Sequence, residues 1–435
     1  MKNLTRKGID GAAQPAPDRM DNMEKKKEGR VAVIGGGAAG LLAAGRLAQR
    51  SRRVALIEKN PMLGKKLRIT GKGRCNVTNA CEVEDMLRHV PANARFLYSA
   101  FYSFTNDDLI ALLREYGVET KVERGGRVFP VSDKAKDVVE GLKRFALQSQ
   151  NVRVMKKEVK ELILRDGAVR GVRFGDGSTL ACSSVIVATG GLSYPLTGST
   201  GDGYKFARQA GHSIVPCRPS LVPLVTRQRW VSELMGLGLK NIALTVTDEQ
   251  DKHVYEDFGE LLFTHFGVSG PVVLSASAHM RDMERKQYRL HIDLKPALSA
   301  QQLDERIRRD FAQNTNKHLI NALDALLPKA LIPVIVRLAE LDAHKAVNQI
   351  SKEERLRLGE TLKDVRLDVA GFRPIEEAII TSGGVNVKEI NPSTMESKLV
   401  RGLFFAGEVL DVDAYTGGFN LQIAFSTGWL AGDHA

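Results

Sequence analysis

Between Pro61 and Ala80 the chain carries Lys65, Lys66, Arg68, Lys72 and Arg74, no acid, and three interleaved glycines, Gly64, Gly71 and Gly73. A cationic, glycine-rich loop of this kind suits an anionic ligand, and a solvated basic loop is the bland alternative. Cys75 sits inside the run, between Arg74 and Asn76. Basic neighbours lower a thiol's pKa. A thiol beside a hydride donor could supply the proton when a C=C bond is reduced. A lone cysteine is also ordinary packing material. The segment Phe263-Thr264-His265-Phe266-Gly267 offers a second acid/base candidate, His265. That residue fits proton transfer or substrate orientation, and a structural histidine equally well.

The element that must position these groups begins at Val31. Val31 to Ile34 reads as a buried strand, and Gly35, Gly37 and Gly40 form GxGxxG. An Ala-rich helix follows, then a second strand, Val54 to Ile57, and then Glu58. Gly35 permits the tight turn, Gly37 the approach of a pyrophosphate, and Gly40 close packing of helix on sheet. The helix N-terminus, with Ala38 and Ala39, offers unpaired N–H groups to phosphate. Glu58 stands where an acid accepts hydrogen bonds from a ribose diol. Strand, glycines, helix, strand and acid in this order predict a dinucleotide-binding unit.

Later segments select FAD over NAD. Val185 to Gly191 reads as a buried strand ending in Thr189-Gly190-Gly191. Leu403 to Asp411 is a strand followed by Gly407-Glu408 and then Asp411. Tyr415 to Ala424 contains Gly417, Gly418, Asn420 and Leu421 and leads into an apolar helix. A glycine loop at one end of the chain and strand, Gly-acid, loop and helix at the other is the layout of large FAD folds. A helix N-terminus aimed at the flavin stabilises negative charge there. Read separately, each glycine pair could be a plain turn, and Asp202 and Asp411 could be helix caps.

These segments resemble the YhiN/BaiN-type flavoproteins, a bacterial family of FAD-dependent oxidoreductases. The resemblance runs from Val31 to the end. It rests on LGKKLRITGKGRCNVTN (Leu63 to Asn79), GGRVFPVSDKA (Gly125 to Ala135), GSTGDGY (Gly198 to Tyr204), LFTHFGVSGP (Leu262 to Pro271) and AGEVLDVDAYTGGFNLQ (Ala406 to Gln422). It implies an α/β architecture: a Rossmann-type FAD-binding domain (31–212 and 376–435), an inserted β-barrel-like domain (213–299 and 363–375) and a helical module (300–362). Alternating strands in Leu221 to Thr247 and helical periodicity in Ala300 to Leu362 agree with this division. Residues 1–30 fall outside the resemblance and read as a disordered tail. Besides the glycines and Glu58, Lys59, Lys66, Arg74, Asn76 and Val159 are expected at the cofactor.

The implied activity is FAD-dependent oxidation or reduction of an anionic substrate, with non-covalent FAD and NAD(P)H as a transient electron donor. A narrower alternative is reduction of uridine to dihydrouridine in ribosomal RNA, which the resemblance admits; a non-catalytic FAD-binding protein is a third. The net charge of +12 fits an anionic partner, whether small molecule or RNA. No RNA-binding module is visible in the sequence. Four cysteines without CxxC spacing argue against a disulfide scaffold and a zinc site. With no span of roughly 18 apolar residues and no secretory h-region, a soluble cytoplasmic protein is expected.

Overall fold

The computed structural model describes residues 29–281 and 283–435. The expected tail therefore lies outside the described residues, except for Gly29 and Arg30. Five parallel strands form the central sheet: β1 (Val31–Ile34), β2 (Val54–Glu58), β6 (Val152–Lys156), β10 (Ser184–Val187) and β19 (Leu403–Phe405). Their order is β19-β10-β1-β2-β6. Every residue of β1 and β10 is buried, which is why both read as apolar runs without alternation.

The helix Ala38–Gln49 packs on this sheet, and the C-terminal helix Phe419–His434 packs on it in turn. The contact is backbone to backbone. A Cβ on Gly428 would stand 2.3 Å from the Ala39 carbonyl oxygen, and one on Gly432 2.9 Å from that of Ala43. The last helix is thereby fixed against the first.

Two small antiparallel sheets flank the core. One comprises β3 (Thr78–Asn79), β4 (Thr120–Glu123) and β5 (Arg127–Pro130) in the order β3-β5-β4. The other comprises β7 (Val159–Arg165), β8 (Ala168–Phe174) and β9 (Thr179–Ala181).

The antiparallel pair β11 (Ile214–Ser220) and β18 (Ile380–Val385) carries the chain out of this region and back. Between them, β12 (Leu224–Thr226), β13 (Gly238–Asp248), β14 (His253–Phe263), β15 (Gly267–Ser269), β16 (Tyr288–Asp293) and β17 (Val365–Phe372) close into a barrel. Burial alternates along β16, as a barrel strand with one inward face requires. Helices Ala300–Ala312, Ile332–Leu338 and Lys352–Lys363 lie between β16 and β17. Ser299 and Ser351 open the first and third with capping boxes. Leu303, Ile335 and Leu358 share one apolar cluster with the barrel residues Leu244 and Val246.

Candidate active-site cleft

A cleft of about 1240 Å³, counted with its open mouth, lies at the C-terminal ends of β1, β2 and β10. Open α/β sheets bind ligands at this edge. Gly35, Gly37, Ala38, Ala39, Glu58, Lys59, Lys66, Val159, Thr189, Gly190, Gly407, Glu408, Asn420 and Leu421 line it. Fourteen positions, scattered from one end of the chain to the other, thus meet around one cavity.

The donor set fits a dinucleotide. Gly37 begins the first helix without a side-chain cap, so the first-turn N–H groups are left for a ligand. A Cβ placed on Gly37 would meet nothing within 4 Å. The Glu58 carboxylate is held by the Gly36 N–H (2.8 Å) on one oxygen and the Asn60 N–H (2.8 Å) on the other. Each oxygen keeps a second lone pair for a hydroxyl. Thr189 Oγ1 is buried and has no partner, and such orphaned groups call for a ligand or water.

One wall is a linked polar network. Lys66 Nζ donates to Glu408 Oε2 (2.6 Å) and Ser193 Oγ (2.6 Å). Ser193 Oγ in turn donates to Glu408 Oε1 (2.8 Å), which also accepts the Thr381 N–H (3.0 Å). Tyr194 continues this wall, with Lys66 Nζ 5.9 Å from its ring centroid. At the rim, Lys59 Nζ bridges Asp202 Oδ2 and Thr200 Oγ1, both at 2.5 Å. Asn420 does not reach out: its amide pins the preceding loop by pairing with the Ala414 N–H and carbonyl oxygen.

Other expected site residues serve the protein itself. A Cβ on Gly40 would stand 1.8 Å from the Gly35 oxygen, and one on Gly191 2.4 Å from Thr381 Oγ1. Gly418 sits at φ +100 against the backbone of Thr78, and Gly417 accepts a hydrogen bond from Asn79. The Asp411 carboxylate accepts from Asn93 (3.0 Å) outside the cleft lining, and burial pushes its pKa up. Asn76 is also off the lining, with a buried Oδ1 that lacks a partner.

Three expectations need correction. Arg74 does not face the cleft. It is held by Glu123 (2.5 Å) and Asp133 (2.6 Å), with its guanidinium 4.2 Å from the Phe129 centroid. The cationic loop is split accordingly: Lys65 and Lys66 line the cleft, Arg68 pairs with Glu140 (2.9 Å), and Lys72 faces solvent. Cys75 is 0% exposed, and burial raises its pKa to about 12. The activation expected from basic neighbours is absent, because the side chain points into the core and not toward the loop's charges. His265 is exposed in the turn between β14 and β15, beside Phe266 and off the cleft lining.

Sequence reasoning missed Ser193 and Thr381. Their roles arise from partners far along the chain: Ser193 lies 127 residues from Lys66 and 215 from Glu408. Asn60 and Thr197 to Ser199 also line the cleft, and the GSTGDGY motif was their one visible signal. Among the described residues, no group of His, Cys, Asp and Glu could hold a metal ion, and no helix is long and apolar enough to cross a membrane.

The family described as HI0933-like protein Rossmann domain matches residues 29–434. A ribosomal RNA dihydrouridine synthase of Haemophilus influenzae is 34% identical, with 91% of this chain and 96% of that protein aligned. A 3-dehydro-bile acid delta(4,6)-reductase of Clostridium scindens is 30% identical over 93% of this chain and 98% of that protein. The solved 3-ketosteroid-delta4-(5alpha)-dehydrogenase of Rhodococcus jostii RHA1 shares the fold at TM-score 0.50 and 15% identity, with 93% of this chain and 96% of that one covered.

Proposed function

The chain belongs to the HI0933-like Rossmann-domain family of FAD-dependent oxidoreductases, and on that premise we propose that it reduces a C=C bond conjugated to a carbonyl, with a uracil ring of ribosomal RNA as substrate. Dihydrouridine synthesis and delta(4,6)-reduction of a 3-dehydro-bile acid, named for two relatives, are both reductions of this class. The observation that carries the reading is the cleft itself, with its uncapped helix N-terminus, the orphaned Thr189 hydroxyl and the Lys66–Glu408–Ser193 wall.

Bound FAD supplies the hydride chemistry. The chain's own residues hold and orient. The N–H groups from Gly37 to Ala39 receive the pyrophosphate, and Glu58 receives the ribose diol. Lys66 is fixed at two points and keeps a positive charge at the wall, where it favours an electron-rich reduced ring and an anionic substrate. In balance, the alkene carbons gain one hydride equivalent and one proton, and NAD(P)H is oxidised to NAD(P)⁺. No second glycine-loop unit is present in the sequence to hold NAD(P)H permanently, so it acts as a transient donor. The net charge of +12 suits the phosphates of RNA.

A second reading, an apolar enone, draws on the rim, where Leu196 is 87% and Ile69 47% exposed. Mass spectrometry of ribosomal RNA from a deletion strain separates the two. Loss of one dihydrouridine is expected, and an unchanged dihydrouridine content would remove RNA as the substrate.

A further inference from the structure

The positive charge of this chain is not spread evenly around the cleft. From Lys121 to Lys136 the sequence carries Lys121, Arg124, Arg127, Lys134 and Lys136 against Glu123 and Asp133 alone. The fold spends both acids internally. Glu123 and Asp133 are bound by Arg74, and Asp133 also by Lys121 (2.7 Å). Arg124, Arg127 and Lys134 are left exposed and form no ion pair with any described residue. Lys72 joins them. Its loop packs on the same sheet, since a Cβ on Gly71 would lie 3.8 Å from the Phe129 ring. That ring has Arg74 at 4.2 Å and Arg127 at 5.8 Å from its centroid.

The position of this face matters as much as its sign. Arg124 and Arg127 bracket the turn between β4 and β5, whose tip is Gly125-Gly126. Asn79 ties that tip to the start of the C-terminal helix, donating to the Gly125 oxygen (2.9 Å) and the Gly417 oxygen (3.2 Å) through one amide nitrogen. The cations therefore stand on a turn anchored to the loop that leads into the cleft-lining residues Asn420 and Leu421.

We propose that the β4–β5 turn and the adjoining Lys72 loop form a docking surface for the phosphate backbone of RNA, placed to deliver a strand to the cleft. The inference rests on the RNA reading above and adds the surface that would recognise it. Surface cations without acidic partners give up little when they engage phosphate, whereas Arg74 and Lys121 would first have to leave Asp133. Arg124 and Arg127 also have the planar fork that suits phosphate.

The test uses the FAD-loaded protein and a labelled single-stranded oligouridine RNA, titrated across a range of salt. The double variant Arg124→Gln/Arg127→Gln is expected to bind at least about tenfold more weakly near physiological salt. Its log–log salt slope should be shallower by about two, close to one for each lost phosphate contact. Its flavin spectrum and anaerobic bleaching by NADPH should match the parent, which shows that the fold and cofactor are intact. A control, Arg165→Gln/Arg170→Gln, removes the same charge from the β7–β8 hairpin and is expected to change binding little. Equal losses in both double variants, or none in the first, would overturn the proposal. Normal dihydrouridine in the deletion strain, together with binding that depends on Arg124 and Arg127, would keep the surface and discard only the substrate.

Discussion

The helices Ala38–Gln49 and Phe419–His434 both begin on a glycine with no side-chain cap, Gly37 in one and Gly418 in the other. Gly37 has φ −85 and ψ −162, an ordinary extended conformation, and its missing Cβ faces open space. Gly418 has φ +100, and its missing Cβ would lie 2.4 Å from the Thr78 backbone. Nothing in the protein alone requires glycine at position 37; a ligand does. At position 418 the chain itself requires it. Two glycines that look alike in sequence therefore fail in different ways when replaced.

The largest effect is expected at position 418. Gly418→Val forces a branched side chain into a left-handed backbone and against Thr78, a cost of about 3 kcal/mol or more. Thermal unfolding should show a protein that is strongly destabilised or fails to accumulate. A variant as stable as the parent would remove the distinction drawn here.

Next comes Gly37→Val. Its side chain enters the cleft, so the purified protein should fold with a melting transition near that of the parent apoprotein but emerge without yellow colour. Retained flavin absorbance would show that the pyrophosphate does not lie on this helix N-terminus.

A pH effect of intermediate size separates the surroundings of the two helix starts. Near the second, His279 is stacked between Tyr255 (4.4 Å) and Tyr415 (5.0 Å). Burial, aided by Arg281, pushes its pKa down to about 4. A free histidine titrates near 6.5, so the unfolded chain takes up protons first as pH falls. The stability from neutral His279 is present above about 6.5 and is lost as pH falls toward 4. Burial raises Asp411 and Asp413, which act in the opposite sense at the lower edge of that window. Denaturant midpoints at pH 7.5 and pH 5 should therefore differ more for the parent than for His279→Phe, which keeps the ring and removes the titration. Equal differences would assign the acid sensitivity elsewhere.

The glycine comparison also marks how far the sequence could be read. The order strand, glycines, helix, strand and Glu58 is local, so the Rossmann unit was legible, and so was the alternation of barrel strands such as β16. What stayed hidden depends on which distant groups fold back onto a position. Lys66 and Arg74 lie in one loop and look equivalent. Glu408 returns to hold the first at the cleft, while Glu123 and Asp133 draw the second away from it. Gly191 reads as part of a ligand turn, yet Thr381 occupies the space beside it.

Cys75 gives the smallest expected effect, and it tests the same lesson at a single atom. Its sequence neighbours are cations, but its spatial neighbours are apolar: it belongs to the cluster that contains Leu67, Val77 and Val128. A thiol at about pKa 12 stays protonated at neutral pH, and with 0% exposure it cannot reach a substrate. Cys75→Ala should cost about 1 kcal/mol of stability for the lost contact, retain FAD, and turn over within about twofold of the parent. Loss of a proton donor would instead slow turnover by roughly a hundredfold or more. At pH 8 an alkylating reagent should label Cys75 in the unfolded chain and spare it in the folded one. A hundredfold slower Cys75→Ala enzyme with unchanged flavin content would mean that the core opens during catalysis and that the thiol does reach the reacting bond.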